Sequence, residues 1–360
     1  MPETPSPVPD QDQIKWHRVP VDKKVMSALM QRSDARGLWQ LGRHLALVLA
    51  TGSVAYYSWY QWPWYVTVIL CHIHGSFYTF LGPGAAVHEL SHKTVFKSPW
   101  LNDFALRLVS FLTIWNYHHY RSSHVKHHQL TVYKGLDLEV ELPLKITPWL
   151  WFNVLFFNFD MLKVALLSNL RYAFGRIEGE WEHRILPESN RPLRQDLAHW
   201  SRFVLIGHLV LLAVFIYFKL WPMIVLVTLA TYIGNWLNFL VGFPQHAGLQ
   251  PSVPDFRLCC RTFVCHPFPS FLYWRMNYHV EHHMYPAVPC YNLPRLRAAM
   301  EPSLPRATVG LYETWKEILG ILKRQKAEPG YYHVPRIPDA SRDEITDSDE
   351  MLREAMMQKG

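Results

Sequence analysis

The stretch WYVTVILCHIHGSFYTFLGPGAAV, from Trp64 to Val87, runs straight into HELSH, from His88 to His92. A membrane-crossing helix needs roughly 20 predominantly apolar residues, and this run supplies them without one Asp, Glu, Lys or Arg. Upstream, only Gln61, Trp62 and Pro63 separate it from Leu45–Trp59, which reaches a similar length with its flanks. Much later, Phe203–Leu220 and Met223–Gly242 form a second pair around Trp221 and Pro222. The pairs read as tight helical hairpins with spans at about 41–60, 64–87, 201–220 and 222–243, and with interfacial aromatics (Tyr60, Trp62, Trp64, Trp221) at their turns. The predicted fold is an all-α integral membrane protein, with four transmembrane helices in two hairpins and a cytosolic helical cap. Buried core helices of a soluble protein fit less well, because the connections are nearly charge-free.

Composition agrees with that division. The 360 residues are 49% hydrophobic and 14% aromatic, too apolar for a disordered chain. The mean hydropathy is nonetheless only −0.05, so long polar stretches dilute the apolar runs. There are 36 Lys and Arg against 29 Asp and Glu, a net charge of +7. Only Lys219 of those 36 falls in a hairpin turn, so the positive-inside rule places both termini and residues 88–200 and 243–360 in the cytosol. In a bacterium the membrane would be the inner one. No aromatic–basic nucleic-acid module is visible, and no nucleic-acid partner is expected. Five cysteines without a CxxC read as reduced thiols. The polar first 40 residues exclude a cleaved signal peptide. The chain divides into a polar N-terminal segment (1–37, with four prolines in a disordered 1–10), a membrane domain (38–300), a helical or loop extension (301–338) and a charged tail (339–360), of which 339–354 hold seven acidic and two basic residues. Leu101–Trp115 and Pro148–Leu170 are apolar but carry Asp103, Arg107, Asp160 and Lys163, and read as helices on the membrane surface or capping the cytosolic domain.

The 20 histidines are not scattered. His88 and His92 are at i and i+4, on one helical face. His124-Val125-Lys126-His127-His128 and His279-Val280-Glu281-His282-His283 repeat an HxxHH pattern, in each of which the histidines point one way, and His246 follows the fourth span. Chance gives roughly 0.06 HxxHH runs in such a chain, so coincidence is a weak explanation. Imidazole is the commonest metal ligand near neutral pH and suits iron, copper and zinc. Nine imidazoles exceed the needs of one ion and suit two, with four or five each and an open position. A rival reading takes His88-Glu89-Leu90-Ser91-His92 as the HExxH of a membrane zinc protease, with Glu89 as base. That site uses one metal and three protein ligands, leaving the other clusters unexplained. A transporter is disfavoured because no polar path crosses the apolar runs.

Together the boxes HELSH, HVKHH and HVEHH, their order, the flanking hairpins and the run Asn277-Tyr278-His279 to Met284-Tyr285-Pro286 resemble the membrane fatty acid desaturase and hydroxylase superfamily over roughly residues 40–300. The resemblance implies two non-haem irons held in the cytosolic cap by His88, His92, His124, His127, His128, His279, His282 and His283, with His246 as the ninth ligand. It implies O2 as co-substrate. An asparagine that holds a metal-bound water in acyl-CoA desaturases is replaced by Gly242, so either this ligand is lacking or Asn238 serves it from a different helical turn. His118 and His119 are additional, with a surface or packing role, and His72 and His74 read as buried hydrogen-bonded residues within the second span.

Breaking an unactivated C–H bond needs an oxidant made from O2, and two irons can store the electrons between them. Glu89, Asp137, Glu139 and Glu281 are candidates to orient the imidazoles. Arg121 either binds a carboxylate or phosphate head group or pairs with an acidic neighbour. Trp115, Tyr117, Trp236, Phe239 and Tyr278 are candidates to line a tunnel for a long apolar substrate. No haem or dinucleotide motif is fused, so electrons would come from a separate ferredoxin, rubredoxin or cytochrome with its reductase, docking on the basic face. The expected reaction is oxidation of a fatty acyl chain in the lipid phase, foremost desaturation, with hydroxylation or oxidative decarboxylation of free fatty acids to terminal 1-alkenes as other outcomes on one metal centre.

Overall fold

Pro63 divides the first apolar region. In the computed structural model, which describes residues 14–338, Asp34–Gln61 is one 28-residue helix capped by the Ser33 hydroxyl. Trp62 is extended, as a residue before proline prefers, and Trp64–Tyr78 begins the return helix. The proline-rich start and the acidic 339–354 stretch lie outside the described residues.

The return helix is shorter than its apolar run. It stops at Tyr78, passes through a single 3-10 turn at Thr79–Leu81, and the chain is broken by Gly82-Pro83-Gly84 before the short first-box helix Ala86–Ser91. The predicted span 64–87 is therefore a 15-residue helix followed by a turn; Pro83 supplies no amide donor, which ends the ladder.

Arg191–Tyr217, a 27-residue helix, is the one helix among the described residues long and apolar enough by itself to cross a membrane. The run after it is the larger correction. The predicted span 222–243 is not one helix: Trp221–Met223 leads into a π turn at Ile224–Thr228 and a 3-10 turn at Ala230–Tyr232, and helix resumes only at Trp236–Gly242. Gly234 sits at the break with φ +65°, and a Cβ there would lie 2.7 Å from the His72 carbonyl oxygen, so backbone conformation and close approach both require glycine. The freed backbone groups find partners in the 156–158 linker: Asn158 N donates to Tyr232 O at 2.7 Å and Gly234 N to Phe156 O at 3.2 Å.

Gly75 on the return helix meets this break face to face. A Cβ there would sit 2.4 Å from Ile233 O and 3.0 Å from Ala230 O. Gly75→Ala should destabilise the fold by roughly 1–3 kcal/mol through overpacking, read as a lowered unfolding midpoint in detergent; an unchanged midpoint would show that the two segments slide apart freely.

The two stretches expected to lie on the surface become Pro99–Leu112 and the pair Pro148–Leu155 and Phe159–Ala173. The first turns Ala105, Leu106 and Val109 into the main core, and Asn102 Nδ2 donates to Leu90 O at 2.8 Å, tying it to the first box. Phe159–Ala173 packs along Arg191–Tyr217. Outer faces remain apolar, with Leu49, Val68, Ile69, Leu167, Leu209 and Val210 exposed. The second-box helix is Tyr117–Leu130, capped by Asn116, and the third is His279–Met284. Beyond them, Leu311–Ala327 docks through Trp315 Nε1, which donates to Leu240 O at 2.8 Å. A small parallel ladder, Phe263–Val264 with Thr308–Val309, is a β element that the all-α expectation lacked. All five cysteines are free thiols.

Candidate metal centre

The three box helices and the 243–246 turn bring all nine histidines into two adjoining groups. His88, His92, His124, His128 and His282 form one; His127, His246, His279 and His283 form the other; within each group one ring nitrogen per residue lies within 4.8 Å of every other. The helices do not each serve one group. His127 parts from His124 and His128, and His282 parts from His279 and His283.

Ring nitrogens converge at short range. His128 Nε2 is 3.0 Å from His124 Nε2 and 3.1 Å from His282 Nε2. His279 Nε2 is 2.9 Å from His246 Nε2 and 3.0 Å from His283 Nε2. His88 Nε2 and His92 Nε2 are buried without a hydrogen-bond partner. Buried polar atoms are ordinarily satisfied, so nitrogens that crowd one another or face nothing mark a place built for something else.

The other edge of most rings is held by an acceptor. His124 Nδ1–H donates to Glu139 Oε1 at 2.8 Å, and His127 Nδ1–H to Asp137 Oδ2 at 2.7 Å. His246 Nδ1–H donates to Cys259 O at 2.8 Å. Thr131 Oγ1, which donates to His127 O, accepts from His283 Nδ1–H at 3.2 Å. These bonds fix four tautomers with the Nε2 lone pair facing inward. Gln245 Nε2 is 3.1 Å from His279 Nδ1. Glu89 Oε1 lies between boxes, 3.2 Å from His88 Nδ1 and 3.4 Å from His282 Nδ1.

Electrostatics keep the imidazoles neutral. Burial, reinforced by neighbouring histidines, holds His88, His128, His279, His282 and His283 well below the usual value, and burial with the charges of His124 and Arg121 does the same to His92. Burial lowers His124 despite Glu139, and brings His246 down to about 3. His127 is the exception: burial pulls it down, but the Asp137 carboxylate, aided by Glu139, carries it above its usual value. Burial pushes Glu89 up to about 8, against a hydrogen bond from Cys290. Neutral imidazoles with inward lone pairs are the protonation state that metal ligation requires.

Glu89, Asp137 and Glu139 thus stand against the rings. Glu281 does not: its carboxylate takes a hydrogen bond from Thr262 Oγ1 and an ion pair with Arg297 Nη1 at 2.7 Å. It follows His279 in sequence, but two residues along a helix point to different sides. Arg121 makes no hydrogen bond to a box histidine; it borders a surface cavity of about 650 Å³ with Lys93, Arg107 and Lys126. Asn238 packs over the turn before the first box, where a Cβ on Gly84 would be 2.4 Å from its Nδ2. His118 and His119 stay outside both groups, stacked on Tyr117 and Tyr172. His74 is buried and bonded to Thr51 Oγ1 and Leu226 O, whereas His72 is only half-buried.

The five candidate tunnel aromatics stand in different surroundings. Tyr117 borders the basic cavity, Trp115 O accepts from Trp200 Nε1, and Tyr278 sits at the start of the third-box helix. Phe239, on the helix that Trp236 begins, packs against Trp151, Phe243 and Trp315. An apolar cavity of about 520 Å³ lies among the helices Asp34–Gln61, Trp64–Tyr78 and Pro99–Leu112 and the 223–227 turn, lined by Leu45, Val48, Tyr56, Tyr78, Leu112 and Leu226. Sequence reading missed these residues, and also Thr131, Gln245 and the Cys259 carbonyl. Gln245 at least adjoins His246, but nothing in a sequence flags a carbonyl as an imidazole acceptor.

The chain is similar in sequence to known proteins. A sphingolipid delta(4)-desaturase DES1-like protein of Oryza sativa subsp. japonica is 22% identical over 243 residues, covering 65% of this chain and 64% of that protein. An sn-1 acyl-lipid omega-3 desaturase (ferredoxin) of Nostoc sp. (strain 36) is 25% identical over 237 residues, covering 60% of this chain and 62% of that protein. The chain thus spans under two thirds of the length of each. The fatty acid desaturase family model matches residues 62–315, a stretch that carries all nine histidines, and the chain belongs to that family.

Proposed function

We propose that the chain is a multi-pass membrane oxidoreductase that uses O2 and two irons, one in each histidine group, to oxidise an unactivated C–H bond of a fatty acyl chain, with desaturation as the outcome. The observation that carries this reading is the spacing of the ring nitrogens. The closest pairs here are 2.9–3.1 Å apart, a crowding of buried nitrogens that fits residues holding one ion in each group. A group of five imidazoles also exceeds the three protein ligands of an HExxH site.

Bound there, the iron pair supplies the O2-derived oxidising power that the reaction demands. The protein's part is to gather nine rings, to fix the tautomers of His124, His127, His283 and His246 through Glu139, Asp137, Thr131 and the Cys259 carbonyl, and to bury both groups. The reaction needs electrons, and a separate carrier is proposed to supply them; the Nostoc relative's name specifies ferredoxin. The apolar outer faces and the internally satisfied break at 233–235 support a membrane setting, where unpaired backbone is intolerable. The distribution of Lys and Arg supports a cytosolic side for both termini and the histidine groups.

The test uses detergent-purified protein, a ferredoxin or cytochrome donor with its reductase, O2 and fatty acids of several lengths, with products read by gas chromatography–mass spectrometry. Desaturation gives an unsaturated acid of unchanged length. An alcohol, or a terminal alkene one carbon shorter, would replace that outcome with another. One zinc per chain and no iron in active protein would overturn the metal assignment.

Asp137 offers a finer check. Its carboxylate accepts from His127 Nδ1–H, from Val132 N at 2.8 Å and from Glu139 N at 3.0 Å. Asp137→Asn replaces one accepting oxygen with a donor, and iron affinity should fall about 10–100-fold, measured as iron retained against a graded chelator.

A further inference from the structure

The third-box helix borders a second, separate cavity through Val280. Its volume is about 230 Å³, and its walls carry Arg257, Arg261, Arg297, Arg306 and Arg336 with one carboxylate, Glu317. Three of these arginines are balanced: Arg257 by Asp255 at 2.8 Å, Arg297 by Glu281 at 2.7 Å and Glu301 at 3.2 Å, and Arg261 by Glu317 at 3.3 Å. Arg306 and Arg336 are exposed and have no acidic partner among the described residues. Arg261 is 7% exposed, and its Nη2 is buried with no hydrogen-bond partner. A guanidinium N–H sealed from water without an acceptor is costly, and two uncompensated charges stand beside it.

We infer that this cavity is a binding site for a tetrahedral oxyanion of the phosphate class, seated on the free edge of Arg261 and held by Arg306 and Arg336. Arginine's planar fork matches such an anion in geometry and charge. The cavity falls below the roughly 300 Å³ of ordinary small-molecule pockets, so it takes a single phosphate group and not a nucleotide. The site also has a lever. Arg261 Nη1 donates to Pro244 O at 2.7 Å and Ala247 O at 2.9 Å, and Arg261 N to Gln245 O at 2.7 Å. It clasps the backbone on both sides of His246, so an anion on Arg261 stiffens that turn. The consequence for His246 as a ligand rests on the proposed metal role; anion binding does not.

The experiment follows backbone hydrogen exchange over residues 244–249, with the unfolding midpoint, in the full-length protein. Inorganic phosphate is titrated in detergent with ionic strength held constant by chloride. Saturable protection of that turn is expected. Arg306→Gln with Arg336→Gln, both at exposed positions, should leave the phosphate-free midpoint unchanged and raise the half-saturating concentration about tenfold or more. Arg261→Lys, which keeps the charge but loses the fork, should abolish the protection. A second arm compares phosphate-free nanodiscs of phosphatidylglycerol and of phosphatidylcholine. Protection in phosphatidylglycerol that the double variant loses identifies a lipid head group as the source, and protection only by dissolved phosphate identifies the free anion. No saturable protection in either arm, or protection that the double variant leaves intact, overturns the site. If protection is seen in protein that binds no iron, the anion site stands and the proposed function fails.

Discussion

Replacing His282 with alanine should bring activity below about 1% of wild type, and His283→Ala should do the same, because loss of an outer partner already costs roughly 10–100-fold and a ligand costs more. The two residues are adjacent on one short helix, yet they serve different groups. His282 stands 3.1 Å from His128 in the first, and His283 stands 3.0 Å from His279 in the second. Iron content distinguishes loss of a ligand from loss of the fold. Each single variant keeps the other group whole and should retain about one iron per chain, whereas the double variant should retain almost none. A His282→Ala protein with two irons and wild-type turnover would remove that histidine from the centre.

Arg297→Met should be the most destabilising change outside the histidines. Arg297 forms a buried ion pair with Glu281 at 2.7 Å, and Glu281 is completely buried, with Thr262 Oγ1 as its other donor. Burial pushes the Glu281 carboxyl above its usual value even with Arg297 beside it. Removing one partner of a sealed pair leaves an uncompensated charge and costs about 3–5 kcal/mol. The Arg297→Met, Glu281→Gln double variant should recover much of that loss. Unfolding midpoints in detergent measure both, and a single variant as stable as wild type would mean that the Glu281 site admits water or a proton at no cost.

The histidine boxes were legible because metal ligation imposes residue type and spacing together, as in HVKHH and HVEHH. Their division between two groups was not. An α-helix turns about 100° per residue, so positions i+3 and i+4 fall about 60° to one side of i and 40° to the other. The pattern shows that three histidines share a broad face, but the facing helices decide how that face splits. Carboxylate partners were legible only by proximity in sequence. Glu89 beside His88, and Asp137 and Glu139, which reach back across a turn to His127 and His124, do meet rings, whereas Glu281, just as close to His282 in sequence, faces Arg297.

The apolar runs posed the opposite problem. Hydropathy located Leu45–Trp59 within a true helix and Phe203–Leu220 along the end of another, which stops at Tyr217. It could not show that Met223–Gly242 bends, because the run contains no proline and its one decisive glycine, Gly234, looks unremarkable until His72 O is found beside it. The Gly82-Pro83-Gly84 break was in plain view in the sequence; its apolar surroundings masked it. The aromatics near the boxes carry little information for another reason. Large rings such as Phe239 and Trp315 bury themselves against one another wherever helices meet, so their proximity to a site in sequence says little about what they line.

The crossing of group membership within single helices has a mechanical consequence. His127 and His128 are one peptide unit apart, as are His282 and His283, and each pair straddles the two groups. The distance between the groups is therefore set by covalent backbone at two places, with no hinge, loop or interface in series. Breathing of the surrounding helices can tilt the assembly as a whole but cannot change that gauge. A lesion that kinks either strut disturbs both groups at once, whereas loss of one imidazole spares the group it does not belong to.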